Sequence, residues 1–315
     1  MSADKRRAVC IMGPTASGKT GLAVELVQRY PLEIVSVDSA LVYRGMDIGT
    51  AKPGPETLDR APHRLIDLID PSESYSAARF CEDAQRAMGE IWESGRVPLL
   101  AGGTMLYFRA LLEGLSELPE ADEQVRRNIE ARAGQVGWAA LHAELAQVDP
   151  EAAVRINPND PQRIQRALDV YQFTGRPLSR LQGIRRQDGP SFGVLKLVIC
   201  PEPRAELHRR INQRFDQMVR EGLLEEVRRL RARHDLHPEL PSMRAVGYRQ
   251  AWAFLDGRLG EAEWVERAKA ATRQLAKRQL TWLRRENGAL WYDPTREDSL
   301  EKAMAAVGEF LEAQP

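Results

Sequence analysis

The chain has 315 residues, 43% of them hydrophobic and 29% charged, with 45 basic side chains against 45 acidic ones and a formal net charge of zero. That length suits two domains, or one large domain with an insertion, and holds enough apolar material for a sizeable core. The charge balance excludes a protein coated in positive charge that grips nucleic acid everywhere, though not a local basic face. Scattered cysteines (Cys10, Cys81, Cys200) and histidines without ligand spacing (His63, His142, His208, His234, His237) argue against a zinc site.

The sparse, odd cysteine count suits a reducing cytoplasm. Residues 1–7 are polar and basic with no apolar stretch after them, so no signal peptide is expected. No apolar run approaches the ~20 residues of a membrane helix.

Ala8 to Met12 is a short apolar run that reads as a buried strand. Leu22, Ala23, Leu26 and Val27 recur at helical spacing after it. Between them lies Gly13-Pro14-Thr15-Ala16-Ser17-Gly18-Lys19-Thr20, which fits G-x-x-x-x-G-K-[ST], the loop that cradles phosphates. Such a turn aims free amides and the positive end of a helix dipole at an anion. Lys19 would reach the terminal phosphates, and the Thr20 hydroxyl could hold Mg²⁺. The loop alone does not say which phosphate compound it binds.

Glu33 to Val37 reads as a second strand ending at Asp38-Ser39. A carboxylate at a strand's C-terminal end beside a phosphate loop lies where open α/β sheets bind ligands. It could hold Mg²⁺ or take a proton, or simply cap the next turn. Residues 43–56 form a long loop with three glycines and two prolines, a length uncommon without a function. His63 to Ile69 is expected as a short edge strand. Ser76 should cap a helix buried through Phe80, Ala84, Ala87 and Ile91, ended by Gly95. Val97 to Ala101 is another buried strand, leading into Gly102-Gly103-Thr104 and a helix through Leu106, Leu111 and Leu112. The double glycine allows close approach to a ligand, and Thr104 is either a ligand contact or that helix's cap.

Near Pro119 the strand-like runs stop. Val125 with Ile129, and Trp138, Leu141, Leu145 and Val148, are helical faces. Asp160 and Pro161 should open a helix as N-cap and first residue, with Ile164, Ala167, Leu168 and Tyr171 buried, and Gly175 should close it. Gly183 to Pro190 reads as a polar, basic linker. Strand character returns at Val194 to Ile199. Pro203 begins a helix with Leu207, Ile211, Phe215 and Met218 inward, and a charged helix follows to about Arg233. Ser242 to Arg249 opens the next helical region. A helix from Glu261 through Asn287 has Trp264, Ala268, Ala271 and Leu275 as its stripe. Leu290 to Tyr292 is a last strand, and 298–312 a last helix. The expected protein is therefore α/β. A P-loop NTPase-like parallel sheet core flanked by helices spans 1–118 and 191–315, with an all-helical insertion at 119–190.

Two further groups carry chemistry. Arg210 and Arg214, spaced i, i+4, share a helix face and could clamp a diphosphate through their planar forks, or form a solvated face. Between Arg267 and Arg285 there are seven basic residues and no acidic one. A basic run with an embedded aromatic, here Trp282, suits RNA, or packs its ring inward as an amphipathic helix.

Together these residues resemble the tRNA dimethylallyltransferases, also called tRNA isopentenyltransferases, of bacterial type. The resemblance rests on the Gly13–Thr20 loop, Asp38-Ser39 running into Val42 to Pro53, Gly102 to Tyr107, Asn159 to Arg163, Met243 to Gln250, and Lys277 to Arg284. It implies transfer of a dimethylallyl group from dimethylallyl diphosphate to N6 of adenosine 37, 3′ to the anticodon of tRNA, with loss of pyrophosphate. It also implies that Gly13, Pro14, Thr15, Ala16, Ser17, Gly18, Lys19 and Thr20 hold the diphosphate with Arg210 and Arg214, and that Thr20 ligates Mg²⁺.

Asp38 would act as general base, with Thr104 and Lys19 beside it. The tRNA anticodon stem-loop would touch Asp38, Ser39, Ala40, Leu41 and Thr104. In the insertion it would touch Arg126, Gln162, Arg163, Ile164, Gln165 and Arg166. Towards the C-terminus it would touch Arg244, Ala245, Val246, Gly247, Tyr248 and Arg249, then Lys277, Arg278, Gln279, Leu280, Thr281, Trp282, Leu283 and Arg284. Many members carry Gln where this chain has Leu41, so a polar contact there is lost. The expected protein is a cytoplasmic monomer. An adenylate isopentenyltransferase, a P-loop kinase or NTPase and a non-catalytic RNA-binding protein are the competing readings.

Overall fold

The computed structural model describes residues 6–114, 118, 123–181 and 190–313. The chain divides into two units, Met1–Leu111 with Pro190–Pro315, and Leu112–Gly189. In order the elements are β1 (Arg7–Met12), α1 (Lys19–Arg29), β2 (Leu32–Val37), α2 (Pro55–Arg60), β3 (His63–Arg64), α3 (Ala77–Glu93), β4 (Val97–Gly102) and α4 (Met105–Glu113). Then come α5 (Glu123–Val136), α6 (Trp138–Val148), α7 (Pro150–Arg155), α8 (Pro161–Thr174) and α9 (Leu178–Leu181). The last run is β5 (Gly193–Ile199), α10 (Arg204–Arg220), α11 (Leu223–Arg231), α12 (Tyr248–Leu255), α13 (Glu261–Leu283), β6 (Leu290–Tyr292) and α14 (Ser299–Glu312).

The first unit is built on a six-stranded sheet in the order β3-β2-β4-β1-β5-β6, parallel throughout. A parallel strand covered on both faces reads as a continuous apolar run rather than an alternating one. Ala8 to Met12 in β1 accordingly shows 0% exposure at every residue. Leu22 and Leu26 of α1 and Val307 of α14 close over Val9, Ile11, Ile34 and Leu99. Each fully buried aliphatic chain contributes roughly 1.5–3 kcal/mol.

Because every strand runs the same way, all C-terminal ends lie on one edge. The register pairs Met12 with Gly102 and Gly102 with Val37, so the phosphate loop, Asp38 and the Gly102-Gly103 turn leave the sheet side by side. A Cβ on Gly102 would lie 2.0 Å from the Val37 carbonyl oxygen, so no other residue fits between β2 and β4.

The second unit packs Ile129, Leu141, Leu145, Ile164 and Leu168 into a core of its own. Its helices start at the expected signals. Asp160 accepts the Arg163 amide at 3.2 Å, with Pro161 first in the helix and Gly175 closing it at φ 68°. In the first unit Ser76 accepts the Arg79 amide at 3.1 Å, a cap worth about 1 kcal/mol. The boundary expected at Pro119, and the linker expected over Gly183 to Pro190 save Pro190 itself, lie outside the described residues.

Four expectations are corrected. The strand at His63–Ile69 is only His63–Arg64, because the left-handed φ of Leu65 (63°) and Asp67 (52°) turns the chain out of the sheet. The helix expected to open at Ser242 begins at Tyr248, after Gly247 at φ 95°. The helix expected through Asn287 ends at Leu283. Tyr171 is half-buried rather than in the core.

Candidate active site

The Gly13–Thr20 loop joins β1 to α1. Gly18 takes φ 96° at the helix N-cap, and Ala16 is held at φ 64°. A non-glycine residue there costs of order 1 kcal/mol, the kind of local strain that gathers at binding loops. The amides of Gly18, Lys19 and Thr20 have no acceptor among the described residues, as an anion cradle requires. The Lys19 ammonium folds onto the loop and donates to the Pro14 carbonyl at 2.9 Å.

A cleft opens above this loop. It is lined by Thr15, Lys19, Thr20, Ser36, Asp38, Gly103 and Arg214, all from the first unit. Arg214 donates to the Thr15 hydroxyl, so α10 brings its guanidinium to the rim of the phosphate loop. Arg210 also faces the loop, its Nη1 3.9 Å from where a Gly18 Cβ would be, while its Nε donates to Glu206 at 2.7 Å. Asp38 accepts the Ala40 amide at 2.8 Å. Thr104 does not cap its helix with its side chain. Its hydroxyl accepts the Ser39 amide at 3.0 Å and so fixes the residue next to Asp38.

The charges are two cations to one anion, drawn out of bulk water together. Lys19, Asp38 and Arg214 each keep some surface open to the cleft, but protein surrounds them and desolvation dominates. Burial, then the neighbouring Arg214, lowers the Lys19 ammonium to about 8. Burial lowers Arg214 as well, against the attraction of Asp38. Burial raises the Asp38 carboxyl above its usual value, opposed first by the Ala40 amide and then by Lys19. The cleft therefore carries an uncompensated positive charge, and an entering anion restores full protonation of Lys19.

Diphosphate affinity should be level below pH about 8 and weaken as Lys19 loses its proton, by up to about tenfold per pH unit. Calorimetry near pH 9 in two buffers of different ionisation enthalpy should show proton uptake on binding. Lys19→Arg, whose guanidinium stays charged, should abolish that uptake. Equal uptake in the variant would remove Lys19 as its source.

Several expected RNA contacts are corrected by burial. Ile164 and Leu283 are core residues at 0% exposure. Tyr248 is equally buried, with its hydroxyl donating to Glu226 at 2.5 Å. Leu280 packs on Leu207 and Ile211. Gln279 is engaged at both ends: its amide nitrogen donates to the Gly103 carbonyl at 2.8 Å and its oxygen accepts the Thr15 amide at 2.9 Å. It ties the phosphate loop to the β4 turn from the wall of the cleft. In the insertion, Gln165 bonds Glu130 and the Arg126 carbonyl, and Asp169 draws Arg166 and Arg126. Arg244, Arg249, Lys277, Arg278, Thr281, Arg284, Gln162 and Arg163 are exposed. Trp282 is half-buried under the guanidinium of Arg109, 5.6 Å from the ring centre.

Three features escaped sequence reading. Ser36 and Ser17 have buried hydroxyls without a hydrogen-bond partner among the described residues, the first in the cleft wall and the second inside the phosphate loop. Lys52 donates to the Tyr43 carbonyl, Asp47 and Asp67 and so closes the 43–53 loop on itself. Glu226 is 1% exposed and accepts the amides of Asp47, Ile48 and Gly49 at 2.9, 2.9 and 3.2 Å. Its signal was present: Glu226 sits on the Leu223–Val227–Leu230 stripe, and an acid on an apolar stripe is there to be paired.

Comparison with known proteins gives the family. The family described as IPP transferase matches residues 41–286. A tRNA dimethylallyltransferase of Thioalkalivibrio sulfidiphilus is 64% identical over 277 residues, 88% of this chain and 87% of its own. One of Alkalilimnicola ehrlichii is 60% identical, covering 96% and 94%. Among solved structures, the full-length tRNA isopentenylpyrophosphate transferase of Bacillus halodurans superposes with a TM-score of 0.71 at 39% identity, covering 98% of this chain and 97% of that one. A eukaryotic dimethylallyltransferase acting on tRNA gives 0.81 at 26% identity, covering 99% and 81%. The sheet with its phosphate loop is thus a P-loop NTPase-like core. A family model that spans most of the chain, and relatives 60–64% identical over 88–96% of it, leave one conclusion: the chain belongs to the IPP transferase family.

Proposed function

We infer that this chain has the activity for which its relatives are named, transfer of a dimethylallyl group to tRNA. The acceptor is N6 of adenosine 37 and the donor is dimethylallyl diphosphate. The observation that carries this reading is the pairing, in one cleft, of a net-positive cradle with a desolvated carboxylate. A kinase can use both as well, so the choice of transfer to tRNA over phosphoryl transfer rests on the relatives, named tRNA dimethylallyltransferase at 60–64% identity over 88–96% of this chain.

In the reaction the allylic C–O bond breaks and pyrophosphate leaves with its electron pair. The N6–C bond forms, and the N6 proton passes to Asp38. The loop amides, Lys19 and Arg214 stabilise charge on the leaving group, where preorganised donors in a dry site act most strongly. Thr104 positions the Asp38-Ser39 turn. The adenosine must leave its stack to reach a carboxylate at the sheet edge. The exposed cations on α13, the Arg244 and Arg249 segment, and the α8 face with Gln162 and Arg163 supply phosphate contacts.

The donor set fits Mg²⁺. No group of three or more His, Cys, Asp and Glu capable of holding a metal occurs among the described residues, but Thr20 and Ser36, whose hydroxyl has no partner among those residues, line the same cleft. Mg²⁺ bound through few protein oxygens, substrate phosphates and water is the usual pattern. It would neutralise diphosphate charge. No helix among the described residues is long and apolar enough to cross a membrane.

The test is one assay: dimethylallyl diphosphate with an unmodified anticodon stem-loop, against AMP and ATP, with and without Mg²⁺. The expected result is prenylated stem-loop, little product on AMP and no ATP turnover. Prenylation of AMP as fast as of the stem-loop would overturn the tRNA reading.

A further inference from the structure

A second cavity, of about 660 Å³, opens on the same edge of the sheet beyond the C-terminal ends of β5 and β6. That size lies within the range of about 300–1,000 Å³ typical of ligand sites. The helices α10 and α13 stand between it and the active-site cleft. Arg214 and Gln279 face the cleft, while Arg204, Arg273, Lys277 and Arg284 of the same two helices and their ends face the second cavity. The separation is therefore about one helix diameter, some 10 Å.

Its charge is one-sided. The acids on its wall are already paired: Glu202 and Asp293 with Arg296, and Asp298 with Lys302. Arg204, Arg273, Lys277 and Arg284 have no carboxylate partner among the described residues, and Arg273 meets only the Asn212 side chain. His208, on the same wall, is lowered by burial and then by Arg204 and Arg273, as a positive field requires. Trp291 of β6 is 45% exposed and lines the cavity. Unpaired cations around an open indole make a binding surface for a single nucleotide unit, with phosphate on the cations and base on the ring.

We propose that this cavity seats a nucleotide of the same RNA strand that delivers the target adenosine, its base stacked on Trp291 and its phosphate held by Arg204 and Lys277. The proposal rests on the tRNA reading and extends the RNA surface across α13 onto β6. A free nucleotide presents the same chemistry, but one-helix spacing on a common sheet edge favours a strand that occupies both cavities.

Trp291→Ala should weaken anticodon stem-loop binding roughly 30-fold, the middle of the range for one lost stack, and Trp291→Phe should recover most of it. Arg204→Ala should lower the slope of log affinity against log salt by about 0.7, one single-strand phosphate contact. In all three variants the KM for dimethylallyl diphosphate should stay at the wild-type value. A wild-type protein that does not prenylate the stem-loop defeats the functional reading itself. An active wild type with unchanged RNA affinity in Trp291→Ala and Arg204→Ala overturns this proposal alone. Quenching of Trp291 emission by AMP but not by the stem-loop, with Trp291→Ala as blank, also overturns it in favour of a free-nucleotide site.

Discussion

Asp38→Asn should slow dimethylallyl transfer by about 10²–10⁴-fold, the usual contribution of a positioned general base, and leave stem-loop affinity unchanged. Asparagine is the informative replacement. Its side-chain oxygen can still accept the Ala40 amide, which Asp38 holds at 2.8 Å, so the turn survives and only the proton acceptor is lost. Alanine should cost at least as much in rate and would also release the turn.

The pH profile gives a second readout. Burial raises the Asp38 carboxyl above the ordinary carboxylate range, so its active, ionised form exists above that raised value and disappears as pH falls through it. The acid limb of the wild-type rate should therefore lie higher in pH than a surface aspartate would place it. It should be missing from whatever residual rate Asp38→Asn retains. A variant that transfers at the wild-type rate would mean that another group collects the N6 proton.

The parts of this site that were legible in the sequence are those fixed by chain-local order. Three strand–loop junctions, at Gly13, Asp38 and Gly103, could be read because each apolar run ends at its functional residue. A parallel sheet then brings all such ends to one edge. What could not be read depends on distant partners. Gln279 has the same chemical look as its basic neighbours on α13, yet it bonds Thr15 and Gly103 across more than 170 residues of sequence. Tyr248, grouped with Arg244 and Arg249, looked like an RNA-facing aromatic. Its direction is set by Glu226, which nothing nearby in sequence reveals.

The edge strand at His63 failed for another reason. Its apolar pattern was sound, but two non-glycine residues in left-handed geometry ended it, and such conformations leave no mark in hydropathy. The basic stripe on α13 was read correctly as charge and incompletely as surface. Three of the seven basic residues from Arg267 to Arg285, namely Arg273, Lys277 and Arg284, line a cavity whose other wall, Trp291 and Arg204, comes from elements that pattern reading treated as a last strand and a helix start.

Glu226→Ala should release the 43–53 loop, the largest structural effect expected from a residue outside the cleft. One carboxylate there accepts three backbone amides and the Tyr248 hydroxyl while almost wholly buried. Each buried donor left without an acceptor costs roughly 1–3 kcal/mol, so the loop loses about 3 kcal/mol or more of local stability. Lys52 alone, through Asp47 and Asp67, ties the loop only to itself and its neighbour, not to α11.

In hydrogen exchange the amides of Asp47, Ile48 and Gly49 should then open about 100-fold more often, and those of β1 should not. Thr50 and Ala51 line the active-site cleft beside Asp38, so loosening the loop should also raise the KM for the RNA acceptor more than that for the diphosphate. Glu226→Gln separates fold from charge. Its oxygen can replace one acceptor, but its amide presents donors to donors, so partial protection should return at one or two of the three amides. Full protection at all three in Glu226→Ala would show that the loop holds its shape without the carboxylate, and that Lys52 is its real tether.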